Sequence, residues 1–198
     1  MSKQYSNPLN IAATEFDFED VERFFDSSDC RWKLRPGITR SLSMQDQRLS
    51  VQSGGAQPAA GVFYRPDALG GLGFDHLFTS NMADGWDSLL VSISAHARKR
   101  CVAIRYAEPD IREFKILHAG ECVRVIQAIK DGRRWEFHST GEAFEFEEQD
   151  FYGNRWKKNR LPWSLLVRYF KCCTGFALSD PGIFRSDGEV LRVLERRA

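Results

Sequence analysis

Residues 101–148 read CVAIRYAEPDIREFKILHAGECVRVIQAIKDGRRWEFHSTGEAFEFEE, and this stretch decides the fold. Apolar residues alternate with polar ones in five segments, which the turns EPD, AG, DG and STG separate. Alternation with a period of two is typical of strands with unlike faces, and turns this short join antiparallel neighbours. We therefore predict a mostly antiparallel β-meander over about 101–148.

The segment from Lys130 to Asp150, which begins inside this stretch and runs two residues past it, combines one histidine with five glutamates and four aromatic residues. Asp131-Gly132 favours a two-residue turn, and a second turn is predicted at Thr140-Gly141. This register places Ile126 opposite Phe137 and puts aromatic and charged side chains on opposite faces. The aromatic face carries Trp135, Phe137, Phe144 and Phe146, and the charged face carries Arg134, Glu136, His138, Glu145 and Glu147, with Arg134 opposite Glu147.

Helices are predicted on either side of the meander. Residues 84–100 and 161–174 carry apolar residues at helical spacing, and residues 14–29 predict an N-terminal helix that Thr14 would cap. The second face of the meander also has apolar residues, so both faces need a cover; these residues are Phe114, Ile116, Val123 and Val125. The sequence therefore predicts a single α+β domain over 1–198.

The remaining segments give weaker signals. Residues 1–14 are polar and are predicted to form a flexible arm, and residues 50–61 are predicted to be a flexible loop or linker. A strand-like RWKL is expected to stop at Pro36-Gly37. The tail over 188–197 fits either a strand or a helix.

Composition narrows the function classes. The formal net charge is 28 − 27 = +1, which gives no overall attraction to nucleic acid or an anionic membrane. Five cysteines show no disulfide framework and no metal-binding spacing, and no signal peptide or membrane span is apparent. We expect a reduced, cytoplasmic protein with no cofactor, no metal and no membrane partner.

No catalytic constellation emerges, so the sequence favours a non-enzymatic protein-binding module. Its partner would be another protein, and the narrower expectation is a small inhibitor such as a bacterial toxin-immunity protein. Aromatic and arginine side chains beside charges of both signs are typical of contact surfaces. The predicted contact residues are Arg134, Glu136, Glu145, Glu147, Glu148, Arg155 and Trp156.

Two alternatives stay open. The sequence PDIREFK at 109–115 resembles the PD…E-x-K pattern of restriction-like nucleases, in which two acids and a lysine hold a metal and activate water. The resemblance implies roles for Glu113 and Lys115, with Asp84 or Asp87 as the first acid, because Asp110 is too near Glu113. The second alternative is RNA or single-stranded DNA binding through 155–160, where basic residues surround a tryptophan.

Overall fold

The computed structural model describes residues 9–27, 32–38, 60–80, 86–107, 109–186 and 188–195. These residues form an antiparallel sheet, three α-helices and three short 3-10 helices. The strands are β1 (Leu9–Thr14), β2 (Trp32–Ile38), β3 (Ala60–Tyr64), β4 (His76–Ser80), β5 (Arg100–Ala107), β6 (Ile111–His118), β7 (Glu121–Asp131), β8 (Arg134–Thr140) and β9 (Glu189–Glu195). The α-helices are α1 (Phe18–Ser27), α2 (Asp87–Ala97) and α3 (Trp163–Thr174), and the 3-10 helices are Gln149–Gly153, Lys157–Asn159 and Pro181–Phe184.

The sheet has the strand order β2-β9-β3-β4-β1-β5-β6-β7-β8. The predicted α+β class is confirmed, although α1 follows the first strand and does not lead the chain. The prediction of a flexible arm over 1–14 is wrong for residues 9–14, because β1 pairs with both β4 and β5. Ile11 and Ala13 are buried there, so a short apolar run gains its order from distant strands.

Four of the five predicted strands of the meander are present as β5 to β8. In the β7–β8 pair, Ala128 lies opposite Phe137, where the prediction placed Ile126. The turn is Gly132-Arg133, one residue later in the chain than predicted. Within the β7–β8 pair this offset leaves each side chain on its predicted face, because two single-residue shifts add up to one full period. The prediction that Arg134 lies opposite Glu147 is wrong, since Arg134 pairs with Asp131.

The fifth predicted strand, 143–148, is wrong: the described residues 141–148 form no strand. Gly141 has a φ of +89°, and a Cβ there would lie 2.1 Å from the carbonyl oxygen of Val123. The chain therefore turns sharply over the sheet at a position that only glycine fits. The alternating sequence AFEFEE favours a strand, but the turn at Gly141 and the burial of Glu147 prevent one from forming.

Helices cover both faces of the sheet. One face of the sheet, which we call the α3 face, is covered by α3, and the core between them includes Phe114, Ile126 and Tyr169. The opposite face, which we call the α1/α2 face, is covered by α1 and α2, and the core between them includes Trp86. Phe114 lies opposite Ile126, so the prediction that Phe114 and Ile116 share a face with Val125, away from Trp135, is wrong. None of the described helices is long and apolar enough to cross a membrane.

Local signals account for the ends of several elements. Asp17, not Thr14, caps α1: the Asp20 N–H donates to Asp17 Oδ1 at 2.9 Å and the Asp17 N–H donates to Asp20 Oδ2 at 3.1 Å. The predicted stop at Pro36-Gly37 is wrong, because β2 runs on to Ile38 as the strand at the edge opposite β8, and proline is tolerated in an edge strand. The tail is a strand, β9.

The loop predicted over 50–61 lies outside the described residues except for its last two. Ala60 and Gly61 begin β3 and pair with β9. Gly61 lies tightly against the α1/α2 face, since a Cβ there would be 2.5 Å from the Phe78 ring. The end of the predicted loop therefore contributes to the sheet.

Candidate functional site

Residues 141–160, which we call the bridging loop, connect the edge strand β8 to α3. The loop first crosses the α3 face, where Phe146 packs against the core. Its second 3-10 helix then lies beside β8, and Lys157 binds Glu136 of that strand at 2.5 Å. This ion pair ties the loop to β8, which lies at one edge of the sheet.

A buried ion pair anchors the bridging loop to the sheet. Arg124 of β7 donates from Nε and Nη2 to Glu147 at 2.8 and 2.5 Å, and their side chains are only 2% and 0% exposed. Arg124 Nη1 also donates to the carbonyl oxygens of Thr140 and Gly141 at 2.9 and 3.0 Å. One guanidinium thus holds both the beginning and the middle of the loop.

Further hydrogen bonds complete this anchor. Glu147 accepts from the Phe144 N–H at 3.1 Å and from the Tyr152 hydroxyl at 2.8 Å, while the Glu148 N–H donates to the Tyr169 hydroxyl at 2.8 Å. Burial opposes the ionisation of Glu147, but the bonds from Arg124, Phe144 and Tyr152 outweigh it and lower its pKa. Burial raises the pKa of Tyr152, whose hydroxyl stays protonated as a donor.

The anchored loop presents three aromatic side chains to solvent. Phe144, Phe151 and Trp156 are 41%, 38% and 62% exposed. The guanidinium of Arg155 lies 5.7 Å from the centroid of the Trp156 ring, a cation–π contact that orients both side chains. Arginine and tryptophan on a well-held segment are the residue types that dominate binding energy at protein interfaces.

The residues of the predicted contact surface differ in their exposure to solvent and in their ion pairs. Glu145, Arg155 and Trp156 are exposed on the bridging loop, and Arg134 is exposed at the β7–β8 turn. Glu148 forms an ion pair with Arg168 of α3. The assignment of Glu147 to the surface is wrong, because its side chain is fully buried against Arg124. Lys157 binds Glu136, and this hydrogen bond lowers the pKa of the Glu136 carboxyl.

The basic cluster at 155–160 is only partly available to a ligand. Lys157 is bound to Glu136, and Arg160 donates to the carbonyl oxygen of Asn154 at 2.8 Å while its guanidinium lies 5.4 Å from the Phe137 ring centroid. Arg155 and Lys158 remain exposed. Two exposed cations beside the loop's glutamates are a small attraction for a phosphate backbone.

A second group of charged residues lies on the α1/α2 face. Glu113 of β6 binds Arg105 of β5 at 3.1 Å and Lys115 at 3.3 Å, and Lys115 also binds Asp87, the first residue of α2. Glu113 and Lys115 are 6% and 13% exposed at the side chain. The structure therefore brings Glu113 and Lys115 together with Asp87, one of the two candidates for the first acid, while Asp84, the other candidate, lies outside the described residues.

The chemistry of this charge cluster is that of a closed salt-bridge network. Burial opposes the charge of Lys115, but attraction to Glu113 and Asp87 outweighs it and raises the pKa of that ammonium group. Each carboxylate is thus neutralised by a cation at the place where a metal would have to bind. The adjoining cavity measures about 10 Å³, room for roughly one water molecule, and the described residues contain no group of three metal-ligating side chains.

Sequence reasoning missed Arg124 and with it the anchor of the loop. The signal was present: Arg124 has the same strand phase as the inward-facing Ile126 and Ala128, so it needed a buried counter-ion. The carboxylate that pairs with it, Glu147, is 23 residues away in the chain. Alternation alone assigned that carboxylate to the exposed face.

No known family, curated protein or solved structure matches this chain.

Proposed function

We propose that this protein is a non-enzymatic protein-binding module and that the bridging loop is its contact surface. The observation that carries the proposal is the exposed Trp156 with Arg155 against its ring, on a loop that the Arg124–Glu147 pair fixes to the sheet. A loop that is already ordered loses little entropy on binding, so its aromatic contacts translate into affinity.

The charges of the loop define its fit to a partner. Glu145 and Arg155 are exposed beside the aromatic side chains, and mixed charges around an apolar centre favour one binding register. The narrower form of the proposal is that the partner is an enzyme or toxin that this protein inhibits in the cytoplasm. The cysteines among the described residues are free, which supports a reducing compartment.

The test begins with affinity capture by the tagged full-length protein, after nuclease treatment, and purification of the recovered partner. We expect Trp156→Ala to raise Kd by about thirtyfold or more, the effect of losing an interface anchor worth ~2 kcal/mol. Arg192→Ala, on an exposed position of β9, is the matched control and should leave Kd unchanged. Recovery of no stoichiometric protein after nuclease treatment, or equal Kd values for Trp156→Ala and the parent, contradicts the proposal.

A metal-dependent hydrolase is the second candidate, and the convergence of Asp87, Glu113 and Lys115 favours it. In that case Mg²⁺ or Mn²⁺ would raise the melting temperature of the parent protein but not of Glu113→Gln, because ligand binding stabilises the folded state. A nuclease assay with the same pair of proteins would show activity that Glu113→Gln abolishes. An unchanged melting temperature at millimolar metal excludes this candidate.

A further inference from the structure

The strand β8 lies at one edge of the sheet and pairs with β7 alone. The turn between them has two residues, and Gly132 at its first position has a φ of +57°. A hairpin of this kind starts with a hydrogen-bonded pair, here Asp131 and Arg134. Because the bonding alternates, every second residue of β8 directs its N–H and C=O groups to β7. The residues between them direct these groups away from the sheet; they are Trp135, Phe137 and Ser139.

The outward backbone groups of β8 are open to another chain. Within the part of the chain that the structure describes, no hydrogen bond joins the N–H or the carbonyl oxygen of Trp135, Phe137 or Ser139 to another residue. The C-terminal half of the strand, His138, Ser139 and Thr140, is exposed. A row of unbonded N–H and C=O groups is a template on which a further strand can pair.

The bridging loop contacts β8 through side chains only. The Tyr152 ring and the Arg160 guanidinium lie 5.3 and 5.4 Å from the centroid of the Phe137 ring, on the α3 face. Lys157 binds the carboxylate of Glu136, and these side chains are 40% and 43% exposed. Solvent screens such a surface ion pair, and its long side chains rearrange easily. These contacts therefore leave the backbone edge of β8 unpaired.

The two edges of the sheet differ in sequence. The strand β2, at the opposite edge, contains Lys33 and Pro36. Lysine and proline are residues by which edge strands avoid pairing with other chains. The strand β8, with the sequence RWEFHST, contains neither, and it pairs with β7 without a register shift. The β8 edge thus has the regular backbone that pairing requires.

The sequence of β8 is complementary to itself in one antiparallel register. Only with Phe137 opposite Phe137 of a second copy do all three outward residues form hydrogen-bonded pairs, because Trp135 then lies opposite Ser139. The same register places Glu136 opposite His138 of the second copy, a favourable pair of a carboxylate and an imidazole. The neighbouring registers that use the outward groups would place either two copies of Glu136 or two copies of His138 opposite each other.

We propose that β8 is a dimerisation strand: two copies of this chain pair antiparallel through β8, with the two-fold axis at Phe137, and their sheets join into one. Backbone bonding and charge select the same register, as a self-complementary interface requires. The half-buried Phe137 rings of the two copies also meet on the α3 face, which removes further apolar surface from water. This inference does not rest on the proposed function of the bridging loop.

The first experiment is sedimentation equilibrium of the purified full-length protein over a range of concentrations. We expect a reversible dimer of twice 22.7 kDa. Ser139→Pro removes an outward N–H at an edge position that tolerates proline, and it should raise the dimer Kd about tenfold or more, because each dimer loses two hydrogen bonds. Ser139→Thr keeps the N–H and is the matched control, and circular dichroism should show the same fold in all three proteins. A parent protein that stays monomeric at millimolar concentration overturns the proposal, and so does a Kd that Ser139→Pro leaves unchanged.

The second experiment tests the register. Glu136→Cys mixed with His138→Cys should form a disulfide between the two positions on mild oxidation, because opposite residues of a non-hydrogen-bonded pair have Cα atoms about 4.5 Å apart. Mass spectrometry of the linked peptides identifies this disulfide, and neither variant alone should form a disulfide at its new cysteine. Equal yields from the single variants and the mixture, or a dimer linked only through the exposed Cys172, overturn the proposal.

A matched measurement separates the β8 edge from the bridging loop. Trp156→Ala should dimerise with the Kd of the parent protein, because Trp156 lies outside β8. Both dimer experiments use this protein alone, so failure to capture a partner through the bridging loop leaves their results unaffected. A dimer that Trp156→Ala abolishes and Ser139→Pro preserves would assign the association to the bridging loop and overturn the proposal.

Discussion

Removing the carboxylate of Glu147 should destabilise the fold far more than removing any exposed glutamate of the same loop. In Glu147→Ala the guanidinium of Arg124, 2% exposed, would remain buried without a counter-ion. The Phe144 N–H and the Tyr152 hydroxyl would lose their acceptor as well. Breaking a buried ion pair from one side costs about 3–5 kcal/mol.

For a domain of this size about 1 kcal/mol corresponds to about 2–4 °C, so the melting temperature of Glu147→Ala should fall by about 6–20 °C. Differential scanning calorimetry and urea denaturation measure the change, with Glu145→Ala as the exposed control, for which we expect less than about 0.5 kcal/mol. The double variant Arg124→Leu with Glu147→Leu should recover most of the loss, because no buried charge remains.

Equal melting temperatures for Glu147→Ala and Glu145→Ala would refute this reasoning, since the pair would then not be buried or not hold the loop. A double variant no more stable than Glu147→Ala would refute the electrostatic part of it. In that case packing within the loop, and not an unpaired guanidinium, would be the cause of the loss.

Three further predictions concern acid, glycine positions and thiols. In the folded state the pKa of Glu147 lies below its ordinary value of 4.5. The stabilisation that its carboxylate contributes is therefore complete above about pH 4.5 and disappears as the pH falls through the folded pKa. Urea denaturation between pH 7 and 3 should show a smaller loss of stability in Glu147→Gln than in the parent protein. Gly61→Ala should cost about 1–3 kcal/mol through overlap with a buried phenylalanine ring, while Gly153→Ala, with open space around it, should be neutral by thermal denaturation. Cys101 is buried and its pKa is raised, so mass-spectrometric mapping after iodoacetamide treatment should find it unmodified in the native protein and the exposed Cys172 modified.

Local patterns predicted those elements whose partners are neighbours in the chain. The strands β5 to β8 follow one another and are joined by short turns, so alternation and turn residues were enough. The strand β1 was missed because Leu9–Thr14 pairs with β4 and β5, more than 60 residues away. No local signal distinguishes this short segment from an arm.

The bridging loop shows the same limit at the level of the candidate site. Trp156 and its basic neighbours could be recognised from composition, and both Arg155 and Trp156 are exposed as a contact surface requires. The position of Glu147 could not be read from alternation, because the turn at Gly141 ends the strand pattern before it. Which glutamates are available to a partner was therefore decided by a long-range contact to Arg124.

The most direct test of the proposed contact surface is hydroxyl-radical footprinting of the protein with and without its purified partner. Oxidation reports the solvent exposure of individual side chains, and Phe144, Phe151 and Trp156 are all exposed in the free protein. Binding through the bridging loop predicts that Trp156 becomes strongly protected in the complex, together with at least one of the two phenylalanines. Undiminished oxidation of all three side chains at saturating partner would contradict the account.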